Sequence, residues 1–288
     1  MDMSFALFLG CTIPARLPGY EISARAVLGV LGVDVAVTDR FNCCGYPIRN
    51  LSFRASLLAS ARNLALAEGM NLNMITLCQC CYGTLKMVDH LLKQNEGLRE
   101  EINASLRSEG LAYRGSIEVK HLLSVLHDLV GLEAIRNRVV HHLDGLKIAV
   151  HYGCHALRPS DIVKLDNSDR PVIFDRLVDV TGAVSVSWPF RLECCGAPLL
   201  GVDNALSIHL GRKKLSAVKQ AGADLLCVGC SYCHLQFDKV GKDGDAGRRN
   251  DAGLPCILYP QLLGLSLGMD GETLGLDSTR ITDLLRRH

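Results

Sequence analysis

The sequence lacks an excess of either charge: 31 Lys and Arg stand against 30 Asp and Glu, for a net +1. A nucleic-acid-binding surface needs a basic excess, and a disordered tail needs low hydrophobicity with high net charge. With 48% apolar and 21% charged residues the chain has neither signature. Nor does the opening Met-Asp-Met-Ser-Phe-Ala-Leu-Phe-Leu-Gly read as a secretory leader, because it has no basic start and Cys11, Pro14 and Arg16 interrupt its apolar run. The richest apolar stretch, residues 26–37, is too short to span a bilayer and carries Asp34. These absences imply a cytoplasmic chain without membrane insertion or a nucleic-acid partner. Its 288 residues suffice for two typical domains, each with its own core.

Cysteine, by contrast, is plentiful. Thirteen thiols in 288 residues fall short of the roughly 8–10% of a disulfide-stapled scaffold, yet exceed incidental core filling. In a cytoplasmic chain, clustered thiols point to metal or redox chemistry before disulfides. Their order repeats. Cys11, Cys43-Cys44 with Gly45 and Pro47, and Cys78 with Cys81 are followed by Cys154, Cys194-Cys195 with Gly196 and Pro198, and Cys230 with Cys233. Corresponding cysteines are offset by 143, 151, 151, 152 and 152 positions, so the second unit differs mainly by a longer segment before its Cys-Cys pair. This is an internal duplication.

Apolar periodicity repeats with the cysteines. Strands are expected over 5–9, 33–37 and 74–77, with helices over 22–31 and 51–68. In the second half, 147–151, 184–187 and 225–228 take the strand roles and 175–180 and 204–221 the helical ones. Near the end of each half, 117–123 and 257–263 run an apolar stretch into a Leu-Leu pair. Alternating strand and helix predicts an α/β fold of parallel βαβ units in two pseudo-symmetric halves, residues 1–142 and 143–288. Each cysteine group then falls past the carboxyl end of a strand, where open α/β sheets place ligands. The segments 95–110 and 132–142 are helix-compatible, and 239–253, rich in Gly, Asp, Lys and Arg, reads as a solvated loop.

Five thiols per half are one too many for a tetrahedral zinc site. Neighbouring side chains on an extended segment diverge, so an adjacent pair more easily serves two metal atoms than one. Iron-sulfur clusters offer several irons, and the spacing therefore favours clusters over structural zinc.

The pattern Cys-x31-Cys-Cys-Gly-x32-Cys-x2-Cys, with its second copy Cys-x39-Cys-Cys-Gly-x33-Cys-x2-Cys, resembles the duplicated CCG domain of the B-type subunit of heterodisulfide reductase. The likeness extends to Phe-Leu-Gly-Cys-Thr-Ile-Pro-Ala-Arg at the start, the Ala-Arg-Asn-Leu-Ala-Leu-Ala-Glu helix and Cys-Tyr-Gly-Thr-Leu after the first Cys-x-x-Cys. It implies that Cys11, Cys43, Cys44, Cys78 and Cys81 bind one noncubane [4Fe-4S] cluster and Cys154, Cys194, Cys195, Cys230 and Cys233 another. It further implies two-electron reduction of a disulfide, or the reverse thiol oxidation, within a complex that also contains ferredoxin-like and flavoprotein subunits. Family substrates include the coenzyme M–coenzyme B disulfide and, in bacterial sulfur oxidation, sulfur carried on lipoate. The chain lacks the compact cysteine run of a ferredoxin cubane and any Gly-x-Gly-x-x-Gly fingerprint, so electrons must come from a partner. The alternative is an electron-transfer subunit of a flavin-linked oxidoreductase with no disulfide substrate of its own.

Cys80, Cys227 and Cys256 fall outside the repeat and read as packed thiols, with Cys80 also open to a role as substitute ligand or substrate-facing thiol. His155 and His234 each directly follow a proposed ligand and are the candidate proton donors, with His151 nearby. Arg16 and Arg158 follow the first cysteine of each half and could meet an anion. His141-His142 has no partner motif and no assigned metal role.

Overall fold

The computed structural model describes residues 3–245 and 253–276, together with Ile281 and Leu284. In the first half β1 (Ser4–Phe8), α1 (Thr12–Arg16), α2 (Pro18–Val30), β2 (Asp34–Ala36), α3 (Phe53–Gly69), β3 (Asn73–Thr76), α4 (Gln79–Gln94), α5 (Glu96–Leu106), β4 (Val119–His121) and α6 (Leu122–Ser124) are followed by a π-helical stretch, Val125–Gly131, and α7 (Leu132–Arg136). The second half runs β5 (Lys147–His151), α8 (Ser160–Val163), α9 (Ile173–Asp179), β6 (Val184–Val186), α10 (Asn204–Gln220), β7 (Leu225–Val228), α11 (Ser231–Asp245), β8 (Cys256–Leu258) and α12 (Tyr259–Ser266).

The strands form two all-parallel sheets of the same order, β2-β1-β3-β4 and β6-β5-β7-β8. Their central strands are apolar through the middle, as strands covered on both faces tend to be, with polar residues at their ends, and Leu225–Val228 is apolar and buried along its whole length. The fold is therefore α/β and internally repeated. The two apolar stretches before the Leu-Leu pairs supply the fourth strand of each sheet. One expectation fails: in place of a solvated loop from residue 239, α11 continues as far as Asp245. The Gly, Asp and Lys residues there lack periodicity, but the helix is already propagating from the buried turn at Ser231–Phe237, and adding residues to a formed helix is far easier than starting one. Residues 246–252 lie outside the described set.

The halves meet reciprocally. Helix α2 packs on α12 while its counterpart α9 packs on α6 and the π-helical stretch, and α4 meets α8 while α11 meets α1. The backbones approach closely where Gly19 faces Gly275, since a Cβ on Gly19 would sit 2.4 Å from the Gly275 carbonyl. Fully buried His121 crosses between halves: its Nε2–H donates to the Gly229 carbonyl at 3.2 Å, and its Nδ1 accepts from the Leu123 N–H.

This histidine makes acid stability testable. Burial pushes its pKa down to about 4. The unfolded chain gains that proton near pH 6.5, so stability is intact above 6.5 and falls as pH drops toward 4, by about 3 kcal/mol. In urea melts of anaerobic protein, His121→Gln should lose less stability than wild type between pH 6.5 and 4. Equal losses would show that His121 does not charge over that range.

Candidate metal centre

All ten repeat cysteines lie past the carboxyl ends of equivalent strands: the first cysteine after β1 or β5, the pair after β2 or β6, and the Cys-x-x-Cys after β3 or β7. Local backbone explains why. Gly10 and Gly153 take positive φ, turning the chain sharply off the strand ahead of the first cysteine, and Gly45 and Gly196 do so behind the pair. The Gly45 N–H then points at Cys43 Sγ (3.5 Å) and the Gly196 N–H at Cys194 Sγ (3.4 Å). Cys78 is the N-cap of α4, and Cys81 lies one turn further on, so both face the same site.

A brace from the following long helix holds each pair loop. Asn63 accepts the Asn42 N–H at 2.9 Å and donates to the Cys43 carbonyl at 3.2 Å. The equivalent residue in α10 is Lys214, buried, with Nζ donating to the Phe190 carbonyl and lying 5.4 Å from the Trp188 ring centroid. Burial draws its pKa down to about 8.

The two thiol sets touch. Cys78 Sγ and Cys230 Sγ are 3.7 Å apart, and with Cys80 they form a group whose sulfurs all lie within 4.8 Å of one another. Of the ten repeat cysteines only Cys11 is exposed; Cys43, Cys154 and Cys194 are half-buried and the others buried. Crowding perturbs their protonation. The Cys11 and Cys154 thiols are pushed up, chiefly by hydrogen bonding to Cys43 and Cys194, and Cys194 is held low by the S–H groups of Cys154 and Cys195. Ionising all five thiols of one set at once needs positive charge among them, which a metal centre supplies.

Of the two readings the sequence leaves open for Cys80, packed thiol or site-facing thiol, the structure shows a residue that is buried and also faces a site. Its Sγ is 3.4 Å from His155 Nδ1, which also lies 3.5 Å from Cys154 Sγ, and it lines the second half's cysteine cavity with Gln79 and His155. Adjacent residues at a helix start point about 100° apart, so Cys81 faces the first site and Cys80 the second. Its counterpart, Tyr232 of α11, crosses the other way and reaches the Thr12 side chain beside Cys11. Tyr46 stands between the halves, with ring centroids 4.9 Å from His155 and 6.2 Å from Tyr232.

His155 thus stands in the site, whereas His234 lines a separate larger groove with Arg16 and Phe237. Arg158 donates to the Leu192 carbonyl at 3.2 Å, bracing a loop. Cys227 is buried in β7 and Cys256 half-buried in β8. Sequence reasoning left out Gln79, Tyr232 and Lys214. His151 groups with Cys195 and Cys233, all three ligand atoms lying within 4.8 Å of one another. Among the described residues, buried polar atoms without a hydrogen-bond partner flank the second thiol set: both amide atoms of Gln79 on the cavity wall, and both ring nitrogens of His151 beside Cys195 and Cys233. Orphaned donors beside packed thiols are what a sulfide-bearing cluster would satisfy, so these residues fit such a group.

A model of the CCG cysteine-rich domain family matches residues 5–86 and again 148–238. The B-type subunit of the ferredoxin/F(420)H(2)-dependent CoB-CoM heterodisulfide reductase of Methanosarcina acetivorans is 36% identical, over 97% of this chain and 94% of that protein. The chain belongs to the family of heterodisulfide reductase B-type subunits. Its members include the corresponding subunit of the ferredoxin:CoB-CoM heterodisulfide reductase of Methanosarcina mazei, 35% identical over 97% of this chain and 94% of that one. The 8-methylmenaquinol:fumarate reductase membrane anchor subunit of Wolinella succinogenes is 31% identical over 96% of each. A hypothetical protein from Helicobacter pylori shares the fold, with a TM-score of 0.75 over 96% of this chain and 52% of that one at 19% identity. Membership makes the chain a cysteine-rich iron-sulfur redox subunit of a multisubunit oxidoreductase. No described helix is long and apolar enough to cross a membrane.

Proposed function

We propose that the chain is the disulfide-handling subunit of a cytoplasmic heterodisulfide-reductase-like complex, with halves 1–142 and 143–288 each holding one noncubane [4Fe-4S] cluster on its five repeat cysteines. The observation that carries this is the abutment of the two thiol sets at Cys78 and Cys230, 3.7 Å apart, beside a cavity lined by residues from both halves. Opening a disulfide to two thiols takes two electrons and two protons. When bound, the clusters supply the electrons, one from each set, and iron as a Lewis acid. The chain's own groups do the rest. His155, between Cys80 and Cys154, is placed to pass a proton through Nδ1 to a leaving thiolate. The unpartnered Gln79 amide can orient the substrate, and Tyr46 and Tyr232 narrow the approach. The substrate class is a disulfide or lipoate-carried sulfur, and the proposed partners are the ferredoxin-like and flavoprotein subunits of the complex.

The likeness to a fumarate reductase subunit favours a second reading, an electron relay without a disulfide substrate. Anaerobic iron and acid-labile sulfide analysis should give about eight irons per chain for two four-iron clusters. Zinc without sulfide would sink both readings. Added disulfide or thiol should change the electron paramagnetic resonance spectrum if an iron site is open to substrate, and an unchanged spectrum would leave the relay.

A further inference from the structure

The duplication allows the two sites to be compared position by position, and they are not chemically equal. Phe8 pairs with Thr76 in the first sheet as His151 pairs with Val228 in the second, so Phe8 and His151 occupy one structural place. A Cβ built on Gly10 lies 2.9 Å from Cys81 Sγ and 3.6 Å from the Phe8 ring, which puts that ring against the first thiol set. His151 stands correspondingly against Cys195 and Cys233. The same offsets equate Thr12 with His155 and Asn63 with Lys214. At all three positions the second half puts an imidazole or ammonium where the first has an apolar or neutral side chain.

The three residues act at different points around one site. His151 is fully buried, its ring edge-on to Phe237 at 5.2 Å, with neither ring nitrogen partnered. A neutral imidazole always carries one N–H, and the groups around this ring are the thiols of Cys195 and Cys233 on one side and the Arg191 backbone on another. Lys214 brings its charge to the loop carrying Cys194 and Cys195, doing with an ammonium what Asn63 does with an amide. His155 lies along Cys154.

Resting on the reading that each cysteine set holds a cluster, we infer that the second set holds the more oxidising of the two, and that His151, through an N–H to a cluster sulfur, is the main cause. Donors and cations around the sulfurs stabilise the extra negative charge of the reduced state and raise its potential. The exposure of Cys11 to water works in the opposite sense at the first site. A fixed donor in a buried, low-dielectric position outweighs mobile water at a rim, because the same charge separation is worth several times more there. Electrons arriving at the first set therefore run downhill to the second.

Redox titration of the anaerobic full-length protein, followed by electron paramagnetic resonance, tests this. Two waves are expected, separated by at least a tenfold partition of an electron between the sets, about 59 mV for a one-electron couple. Cys195→Ala should abolish the higher wave, which assigns it. His151→Phe should move only that wave to lower potential, and Phe8→His should move only the lower wave upward. Loss of the lower wave in Cys195→Ala, or unmoved potentials in an iron-replete His151→Phe protein, would overturn the inference. If His151→Phe fails to retain iron, an unmoved lower wave in iron-replete Phe8→His does so instead. Iron content separates the two failures. Near eight irons with the wrong order of potentials refutes the inference alone, whereas near four refutes the two-cluster reading and the inference with it.

Discussion

Alanine at Cys44 and alanine at Cys195 are each expected to remove about half of the iron bound per chain and to leave the other half's spectroscopic signal in place. Each is the second member of its adjacent pair, buried at 3% and 5% exposure, and each is tied by sulfur contacts to its own half's Cys-x-x-Cys, Cys44 to Cys81 and Cys195 to Cys233. A buried ligand has no water-supplied substitute, so its loss removes a vertex rather than loosening one. Cys80→Ala makes the sharper comparison. Though next in sequence to Cys81, it should perturb the second half's signal, because its sulfur faces His155 and Cys154's cavity. Iron analysis and spin quantitation of the three variants check this; a Cys80 variant that altered only the first half's signal would refute the crossing.

Gly45→Ala and Gly196→Ala are expected to cost about 3 kcal/mol each and to strip the metal from the affected half. Their φ values of 87° and 88° lie in the left-handed region, which penalises any side chain by roughly 1–2 kcal/mol. Space is the second penalty. A Cβ would lie 2.7 Å from the Ser56 carbonyl oxygen at Gly45 and 2.8 Å from the Ser207 carbonyl oxygen at Gly196, and helix backbone cannot swing aside as a flexible side chain can. Relief has to come from the pair loop itself, which moves the cysteines. Gly29, with nothing within 4 Å of a built Cβ and sitting inside α2, is the control. Its replacement by alanine should leave stability unchanged or slightly raised. Thermal melts and iron content of the three variants decide it, and a Gly45→Ala protein as stable as the Gly29→Ala protein would contradict the steric argument.

Much of this architecture is written locally. The turn glycines, the apolar strands before each cysteine and the period of α3 and α10 are all short-range signals, which is why the parallel repeat and the strand-end position of the cysteines can be read from spacing. What crosses between halves cannot be read that way. Cys80 sits beside a first-half ligand in sequence and belongs to the second half's cavity, and nothing in a linear pattern records the rotation of a helix start. His234 shows the converse, following a proposed ligand directly yet lining another groove. The pairing of His151 with Phe8 was available from the duplication offsets, but its meaning depends on knowing that both side chains face the thiols.

The reciprocal crossing of Cys80 and Tyr232 bears on ancestry. A half-length chain making these contacts would be obliged to pair with a copy of itself through a self-complementary, twofold interface, each copy lending one residue to the other's site. In such a dimer both lent residues are identical, and any change at one is imposed on both. Joining the two copies in one polypeptide lifts that constraint, and the position is now a thiol in one direction and a phenol in the other. Fusion is thus what lets the two sites specialise, and separating the halves again would leave each without the residue its neighbour lends.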